Sequence, residues 1–305
     1  MSAASPIAKR DADAFASFHP ALCFGFFAFA IILGMCLRHP VYLAIGLACA
    51  GLYYGLLRRW RAFRLLKILV PLCLLVTVIN PLFNTLGEHV LFTWLGNRPY
   101  TLEALYAGAS VGAMVAIILL WFGCYNAVMT SEKFLYLFGS LAPRASLILT
   151  MALRFVPRYQ AKYRDIAVAC RGIGCGADRQ ALGGRLRNSG RELTALSGWA
   201  LENGIVTSDS MQSRGFGRAR RSTYRRYRFG HRDAMLAIVF GVLGVAVLVP
   251  LAGGAAAVAY VPALELPSVT VQSLVGYGAY AVFLLIPSAI DLQEAARWRS
   301  SLSRI

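Results

Sequence analysis

Six long apolar stretches alternate with shorter polar segments along most of the chain. A helix that crosses a bilayer needs about 20 mainly apolar residues, and each stretch approaches or exceeds that length. The pattern therefore predicts an all-α integral membrane protein with about six transmembrane helices. The stretches are residues 21–37, 41–57, 65–83, 103–129, 234–253 and 269–290.

The segment between the fourth and fifth stretches, residues 130–233, has a different pattern. Residues 145–155 are apolar but too few to cross a bilayer, and Pro157 is expected to kink or end that helix. Beyond it, apolar side chains recur every three or four positions among polar ones, first from Arg158 and again from Arg187. This segment is therefore predicted to form two long amphipathic helices.

These patterns divide the chain into three predicted regions. Residues 1–129 form an N-terminal membrane region with four transmembrane helices, and residues 234–305 form a C-terminal membrane region with two more and a cytoplasmic tail. Residues 130–233 lie between them as a cytoplasmic or membrane-interface region that carries the two amphipathic helices. At about a hundred residues, the middle region is too long to be a simple connector.

The distribution of Lys and Arg orients the predicted helices. The chain is 58% hydrophobic and 15% charged, with 31 Lys and Arg residues and a net charge of +17. Nineteen of the 31 lie in residues 130–233, whereas residues 254–268 contain none. Because Lys and Arg gather on the cytoplasmic side, both termini and the middle region are predicted to be cytoplasmic, in the inner membrane of a bacterial-type cell.

The two predicted amphipathic helices end in the same short pattern of a small residue, an arginine and a glycine. Residues 170–172 (Cys-Arg-Gly) end the first helix, and residues 213–215 (Ser-Arg-Gly) end the second. A guanidinium in the last turn of a helix interacts well with the terminal carbonyls and presents a planar set of five donors to a carboxylate. Two such ends fit a soluble partner with two equivalent acidic grooves.

Five short segments spread along the chain carry the motifs of one known family. They read Asn-Pro-Leu-Phe at 80–83, Thr-Leu-Glu at 101–103, Leu-Arg-Phe-Val-Pro at 153–157, Ala-Cys-Arg-Gly at 169–172 and Ser-Asp-Ser-Met-Gln-Ser-Arg-Gly-Phe-Gly at 208–217. On these residues the chain resembles the T component of energy-coupling factor (ECF) transporters, the group that includes the transmembrane subunit of cobalt uptake systems. The departures are Cys170 and Ser213, which replace the family's alanine before each arginine.

The resemblance implies a scaffold that catalyses nothing itself. It joins two cytoplasmic ABC-type ATPases, identical or related, to a separate small membrane protein, the S component, that captures the substrate. In family terms, Arg171 with Gly172 and Arg214 with Gly215 each enter a groove on one ATPase, and ATP-driven closing of the ATPases moves the two coupling helices apart or together. Residues expected to pack these helices across one another are Leu193, Leu196, Ala200 and Met211.

The same resemblance sets the expected ligands. ATP and Mg belong to the partner subunits, and this chain is expected to carry no catalytic residue, no cofactor and no metal. Its four histidines are far apart in sequence, which also argues against a metal site. The cargo is a micronutrient, for which vitamins and metal ions stay open.

Other classes of function account for parts of the sequence. The alternative is a membrane enzyme, or a scaffold with a basic cytoplasmic loop, that is not coupled to ATPases. The 14 Asp and Glu residues form no repeated acidic motif that such an enzyme would use. A channel would need ionisable side chains inside the spans, which carry almost none. The basic and aromatic segment 218–232 is similar to a nucleic-acid-binding pattern, but it directly precedes a span, so contact with lipid headgroups is expected instead.

Overall fold

The chain is mostly helical. A computed structural model describes residues 14–58, 62–83, 89–94, 98–139, 143–174, 182–216, 227–253 and 270–302. Within these ranges a short 3-10 turn, Phe15–Ser17, precedes nine α-helices: α1 (Pro20–Cys36), α2 (Pro40–Arg58), α3 (Ala62–Phe83), α4 (Leu102–Val128), α5 (Ser131–Gly139), α6 (Pro143–Gly172), α7 (Leu182–Ser213), α8 (His231–Ala252) and α9 (Val271–Leu302).

Five helices in the described part of the chain are long and apolar enough to cross a membrane. They are α2, the Leu65–Phe83 part of α3, α4, α8 and the Val271–Trp298 part of α9. Helix α1 is apolar as well but has only 17 residues. The prediction of a helical membrane protein is confirmed at this level, because these helices coincide with the apolar stretches of the sequence.

The structure divides into two compact units. The membrane-helix unit comprises Met1–Phe134 with Tyr227–Ile305 and contains α1 to α4, α8 and α9. The two-helix unit comprises Leu135–Arg226 and contains α6 and α7. All apolar helices of spanning length therefore belong to one unit, and the two amphipathic helices belong to the other.

The core of the membrane-helix unit is built around Trp121 of α4. Its ring centroid lies 5.6 Å from that of Phe26 in α1 and 6.0 Å from that of Tyr53 in α2. Phe283 of α9 lies 5.0 Å from Phe26, and all four side chains are at most 2% exposed. Aromatic pairs at these separations each contribute about 1 kcal/mol beyond their burial. The rings thus join four helices into one packed bundle.

Two glycines of α4 allow the backbones of α3 and α4 to approach closely. A methyl group added at Gly108 would lie 2.7 Å from the carbonyl oxygen of Thr77, and one added at Gly112 would lie 3.0 Å from that of Cys73. Small residues four positions apart are the usual means by which membrane helices pack closely. Most large apolar side chains of α3 are exposed. The contact with α4 therefore holds α3 in the bundle, and the rest of its surface is apolar enough to face lipid.

An antiparallel hairpin of two short strands, β1 (Val90–Trp94) and β2 (Arg98–Thr101), leads into α4. The pattern of apolar stretches did not predict it, although aromatic and β-branched residues, which favour strands, are frequent in this segment. The hairpin ends on the N-cap of α4, where the Thr101 hydroxyl accepts the N–H of Ala104 at 3.4 Å. It therefore connects two spans without adding a helix.

Two buried charged side chains fix helix ends in the membrane-helix unit. The Asp233 carboxylate of α8 accepts the N–H of His19 at 3.0 Å and the N–H of Gly230 at 2.9 Å. The Lys133 ammonium donates to the carbonyl oxygen of Val128, the last residue of α4, at 3.0 Å. Because a buried charge is costly unless it is paired or hydrogen-bonded, these contacts define the junctions at the start of α1 and α8 and at the end of α4.

Helix α6 continues through Pro157, so the proline does not end it. The apolar residues 145–155 and the amphipathic residues beyond them are one element, and α7 begins at Leu182, before the predicted start at Arg187. Proline removes one backbone hydrogen bond and costs roughly 3 kcal/mol inside a helix. Packing of the amphipathic face against α7 outweighs that local cost, as tertiary contacts commonly do for helices.

Candidate functional site

Helices α6 and α7 run in opposite directions where their side chains meet. The Tyr163 hydroxyl of α6 donates to Oε2 of Glu192 in α7 at 3.1 Å. Four residues earlier in α6, the Tyr159 ring meets the Trp199 ring edge-on, with 5.6 Å between the centroids. Trp199 lies seven residues after Glu192 in α7. Because a step back along α6 matches a step forward along α7, the two helices are antiparallel in this region.

Two cations of α6 contact the Trp199 ring as well. The Arg158 guanidinium carbon lies 5.7 Å and the Lys162 ammonium nitrogen 5.5 Å from the ring centroid. Such a contact is worth about 0.5–1 kcal/mol at an exposed site and more where water is excluded, and Trp199 is half-buried. We call Arg158, Tyr159, Lys162 and Trp199 the Trp199 clamp. It joins the two helices at one point.

A buried and half-buried stripe on α7 shows which face of this helix packs. Leu196, Ala200 and Met211, three of the residues predicted to pack the helices, belong to the stripe, whereas Leu193 is 56% exposed. Glu192 occupies the contact position instead, because one residue turns a helix by about 100° and so moves Leu193 off the face. The stripe consists of Asn188, Glu192, Leu196, Trp199, Ala200, Asn203, Thr207 and Met211.

Helix α7 ends in a glycine cap that places Arg214 at the C-cap position. The N–H of Gly215 bonds to the carbonyl oxygen of Gln212 at 2.9 Å, and the N–H of Phe216 bonds to that of Met211 at 3.0 Å. This pair of bonds is the Schellman motif, which needs a left-handed residue. Gly215 supplies it with φ 78°, at little steric cost. The exposed Arg214 side chain is thus held at the very end of the helix.

Helix α6 ends differently, although its sequence pattern is the same. Gly172, which follows Arg171, is still helical, and the left-handed residue is Gly174 with φ 80°. The N–H of Gly174 bonds to the carbonyl oxygen of Arg171 at 3.1 Å. Arg171 therefore lies in the last turn, three residues before its left-handed glycine, while Arg214 lies one residue before its own. The two ends share a sequence pattern but not a backbone position.

The side chains of Arg171 and Arg214 are both exposed, and they lie at opposite ends of the antiparallel pair. Counted from the contact between Tyr163 and Glu192, Arg171 is roughly 12 Å along α6 and Arg214 roughly 33 Å the other way along α7, at 1.5 Å per residue. The separation is roughly 45 Å for strictly antiparallel axes and roughly 35 Å for a right-angle crossing. We call these two arginines the helix tips.

Sequence reasoning did not single out Trp199 or Glu192. Their spacing of seven residues, two helical turns, was a usable signal that they share one face. A single tryptophan on an amphipathic helix is usually a packing residue, however, and the sequence does not show which side chains of the other helix reach it. The contacts of Arg158 and Lys162 with its ring appear only in the tertiary structure.

The chemistry that this site offers is recognition of negative charge and support of a long helix pair. In the ranges that the structure describes, no group of three or more His, Cys, Asp or Glu side chains could hold a metal ion, and six cysteines are free thiols. No protein-family model matches the chain, and no curated protein matches it either.

Proposed function

We propose that this chain is the transmembrane coupling subunit of an ECF-type ABC importer. The observation that carries the proposal is the pair of helix tips, two exposed arginines on two long helices, roughly 35–45 Å apart. Such a pair fits two ATPase subunits, identical or related, each with an acidic groove for one guanidinium. The resemblance of five sequence segments to the T component supports the same assignment.

In this proposal α6 and α7 carry ATP-driven motion from the ATPases. The helices have 30 and 32 residues, so each is a rod of roughly 45 Å or more. A guanidinium binds a carboxylate through two parallel hydrogen bonds, which fix orientation as well as distance, unlike the point charge of a lysine. Movement of the two grooves therefore moves the helices, which reorient the S component. ATP and Mg are bound by the ATPases, and this chain catalyses no reaction.

The membrane-helix unit completes the proposal with six spans, of which α1 is the first. Its 17 residues reach the lower limit for crossing a bilayer. An even number of spans brings the chain back to the side on which it started, and the basic residues of 130–233 assign that side to the cytoplasm. The subunit thus lies in the plasma membrane of a bacterium and serves the uptake of a micronutrient, a vitamin or a metal ion.

Charge reversal at both helix tips tests the docking. Arg171→Glu combined with Arg214→Glu should prevent co-purification of ABC-type ATPases with the subunit, because each groove would then face a carboxylate. An arginine at the centre of an interface contributes about 2 kcal/mol, roughly 30-fold in Kd. Each single variant should therefore weaken the complex, and the double variant should abolish it and the ATP-dependent uptake.

The matched control reverses two other exposed arginines on the same helices, Arg164→Glu with Arg191→Glu. It changes the net charge equally but leaves the tips intact, so the ATPases should co-purify in full. Equal loss in both double variants would attribute the binding to net charge rather than to the tips. A tip double variant that inserts, assembles and supports normal uptake would refute the docking assignment.

A further inference from the structure

The chain leaves the membrane-helix unit at one point and returns to it at another, and a buried charged side chain lies beside each point. The unit ends at Phe134, one residue after Lys133. It resumes at Tyr227, six residues before Asp233. Lys133 is 7% exposed and Asp233 is 8% exposed. Because a buried charge is costly unless it is paired or hydrogen-bonded, the partners of these two side chains show what holds each point.

Lys133 lies in the first turn of α5 but binds outside that helix. Its ammonium donates to the carbonyl oxygen of Val128, at the end of α4, and to that of Ala16. The helix dipole disfavours a cation in a first turn and favours one beside terminal carbonyls such as that of Val128. The position of Lys133 is therefore explained by its contacts with α4 and with the segment before α1.

The Ala16 carbonyl is held in place because the residue before it is fixed to two helices. The Phe15 ring is 0% exposed, and its centroid lies 5.4 Å from that of Phe26 in α1. The Phe15 backbone N–H donates to Oδ1 of Asp291 in α9 at 3.3 Å. Lys133 therefore joins the start of α5 to α4 directly, and to α1 and α9 through this segment.

The point of return is held by the same segment. The Asp233 carboxylate accepts the N–H of His19 at 3.0 Å, three residues after Ala16. The Phe229 ring meets the His19 imidazole edge-on, with 5.4 Å between the centroids. Three residues of chain span at most roughly 11 Å, so the two attachments lie close together. A cation holds one of them and an anion holds the other.

We propose that residues 15–19 form a clasp that holds both connections to the two-helix unit at one place on the membrane-helix unit, with Lys133 and Asp233 as its positioning residues. The clasp is the fixed base from which α6 and α7 move when the ATPases close. It leaves the helix tips able to move apart or together, because the bonds named above lie within the membrane-helix unit. The role in coupling rests on the proposed function, whereas the clasp is a property of this chain alone.

Amide hydrogen exchange, measured by mass spectrometry on the full chain in lipid nanodiscs, tests the shared clasp. Lys133→Met keeps an unbranched apolar side chain and removes the charge. It should raise exchange by roughly threefold or more in residues 130–136 and 15–19, and also in residues 227–234, which are held by the other side of the clasp. A purely local role for Lys133 would leave residues 227–234 unchanged, and that result would overturn the clasp.

Asp233→Asn is the reciprocal variant, and it keeps the test decisive where Lys133→Met does not fold. It should raise exchange in residues 130–136, at the other attachment, by roughly threefold or more. Exchange in residues 42–54 of α2 should stay unchanged in both variants. A rise there equal to the rise at the two attachments would report general loosening of the unit and would contradict a shared clasp.

The matched control is Lys67→Met, which removes the same charge from an exposed position of α3 in the same unit. It should leave exchange unchanged in residues 15–19, 130–136 and 227–234. An increase equal to that of Lys133→Met would attribute the effect to the lost charge, and the clasp would then be wrong.

The clasp has a separate readout in the assembled transporter. A base that yields absorbs part of the movement of the tips, so Lys133→Met should reduce uptake per ATP hydrolysed by roughly threefold or more, while the ATPases still co-purify. Unchanged uptake per ATP would refute the role in coupling. If both clasp variants raise exchange at both attachments but charge reversal at the tips leaves the ATPases bound, the clasp stands and the proposed function falls. A purely local rise in exchange, with the ATPases lost on charge reversal, removes the clasp and keeps the proposed function.

Discussion

The carboxylate of Asp233 gives the sharpest stability prediction. It is 8% exposed and accepts two backbone N–H groups, that of His19 at 3.0 Å and that of Gly230 at 2.9 Å. The first bond fixes the start of α1 against the start of α8, and the second closes the N-terminus of α8 itself. Asp233→Asn keeps one acceptor oxygen, and Asp233→Ala keeps none, so the two variants remove the bonds in steps.

The expected losses follow from the number of bonds removed. A hydrogen bond to a charged group contributes about 1.5–3 kcal/mol, and a buried donor left without a partner is costly in addition. We therefore expect the free energy of unfolding to fall by about 2 kcal/mol for Asp233→Asn and by about 4 kcal/mol for Asp233→Ala. At roughly 2–4 °C per kcal/mol, the melting temperature should fall by roughly 4–8 °C for Asp233→Asn and by roughly twice that amount for Asp233→Ala.

Buried cysteines allow the measurement in detergent or lipid. Cys23, Cys49 and Cys124 are buried, so a dye that fluoresces on reaction with thiols reports their exposure as the protein is heated. Cys36 is exposed and is replaced by Ser in every sample. Cys23 lies at the same junction, since its Sγ is 3.3 Å from the carbonyl oxygen of Phe15, and it should react first in the Asp233 variants.

The matched control is Glu294→Gln, which removes a carboxylate charge from an exposed position of α9 in the same unit. Its free energy of unfolding should stay within about 0.5 kcal/mol of that of the unaltered chain, as is usual for surface substitutions. Two results would refute the reasoning: equal losses for Asp233→Asn and Asp233→Ala, or a loss for Glu294→Gln as large as that for Asp233→Asn.

Two further predictions concern helix ends. His39 precedes α2, its Nδ1 accepts the N–H of Val41 at 3.3 Å, and burial lowers its pKa below the ordinary value of 6.5. Below pH 6.5 the unfolded chain therefore binds more protons at this position than the folded chain. The contribution of His39 to the free energy of unfolding should be complete above pH 6.5 and should fall as the pH drops from 6.5 toward the lowered pKa. The melting temperature of His39→Asn should therefore fall less between pH 7.5 and pH 5 than that of the unaltered chain. Gly215→Ala should raise amide hydrogen exchange at the end of α7, because an alanine in the left-handed conformation costs roughly 1–2 kcal/mol. Gly172→Ala should not raise exchange at the end of α6, since Gly172 is helical and has open space around it. Equal changes in exchange in the two variants would contradict the difference between the two helix ends.

Part of the candidate site could be predicted because it depends on neighbours in sequence. Arg171 and Arg214 were found from the glycines beside them, and the amphipathic spacing placed both on long helices. The equivalence of the two ends could not be predicted in the same way. Either Gly172 or Gly174 could adopt the left-handed conformation, because both are glycines that follow Arg171 near the end of the helix. Which of them does so depends on which backbone carbonyls of the last turn still lack a hydrogen bond, and in the structure it is Gly174.

The packing residues show the limit of periodicity more clearly. The steps of three and four in α7 predicted one face made of Leu193, Leu196, Ala200, Asn203, Thr207, Ser210 and Arg214, a series that does not contain Met211. In the structure Leu196, Ala200, Asn203 and Thr207 belong to the stripe, whereas Leu193, Ser210 and Arg214 are exposed, so the steps identified only part of the face. They did not distinguish Leu193 from Glu192, because hydrophobicity favours the leucine as the inner residue and only a partner hydroxyl makes the carboxylate acceptable there. That hydroxyl belongs to Tyr163, 29 residues away.

The sequence by itself determined the class of this protein and the places of its apolar helices. A span across lipid requires a continuous run of apolar residues long enough for one helix, and that condition is local, so it can be read without knowledge of any contact. Only the tertiary structure decided that α6 and α7 meet antiparallel, that Trp199 receives two cations, and that the helix tips lie at opposite ends of the pair. These features depend on the direction and register of two helices joined by a turn, which are set by contacts between residues far apart in the chain.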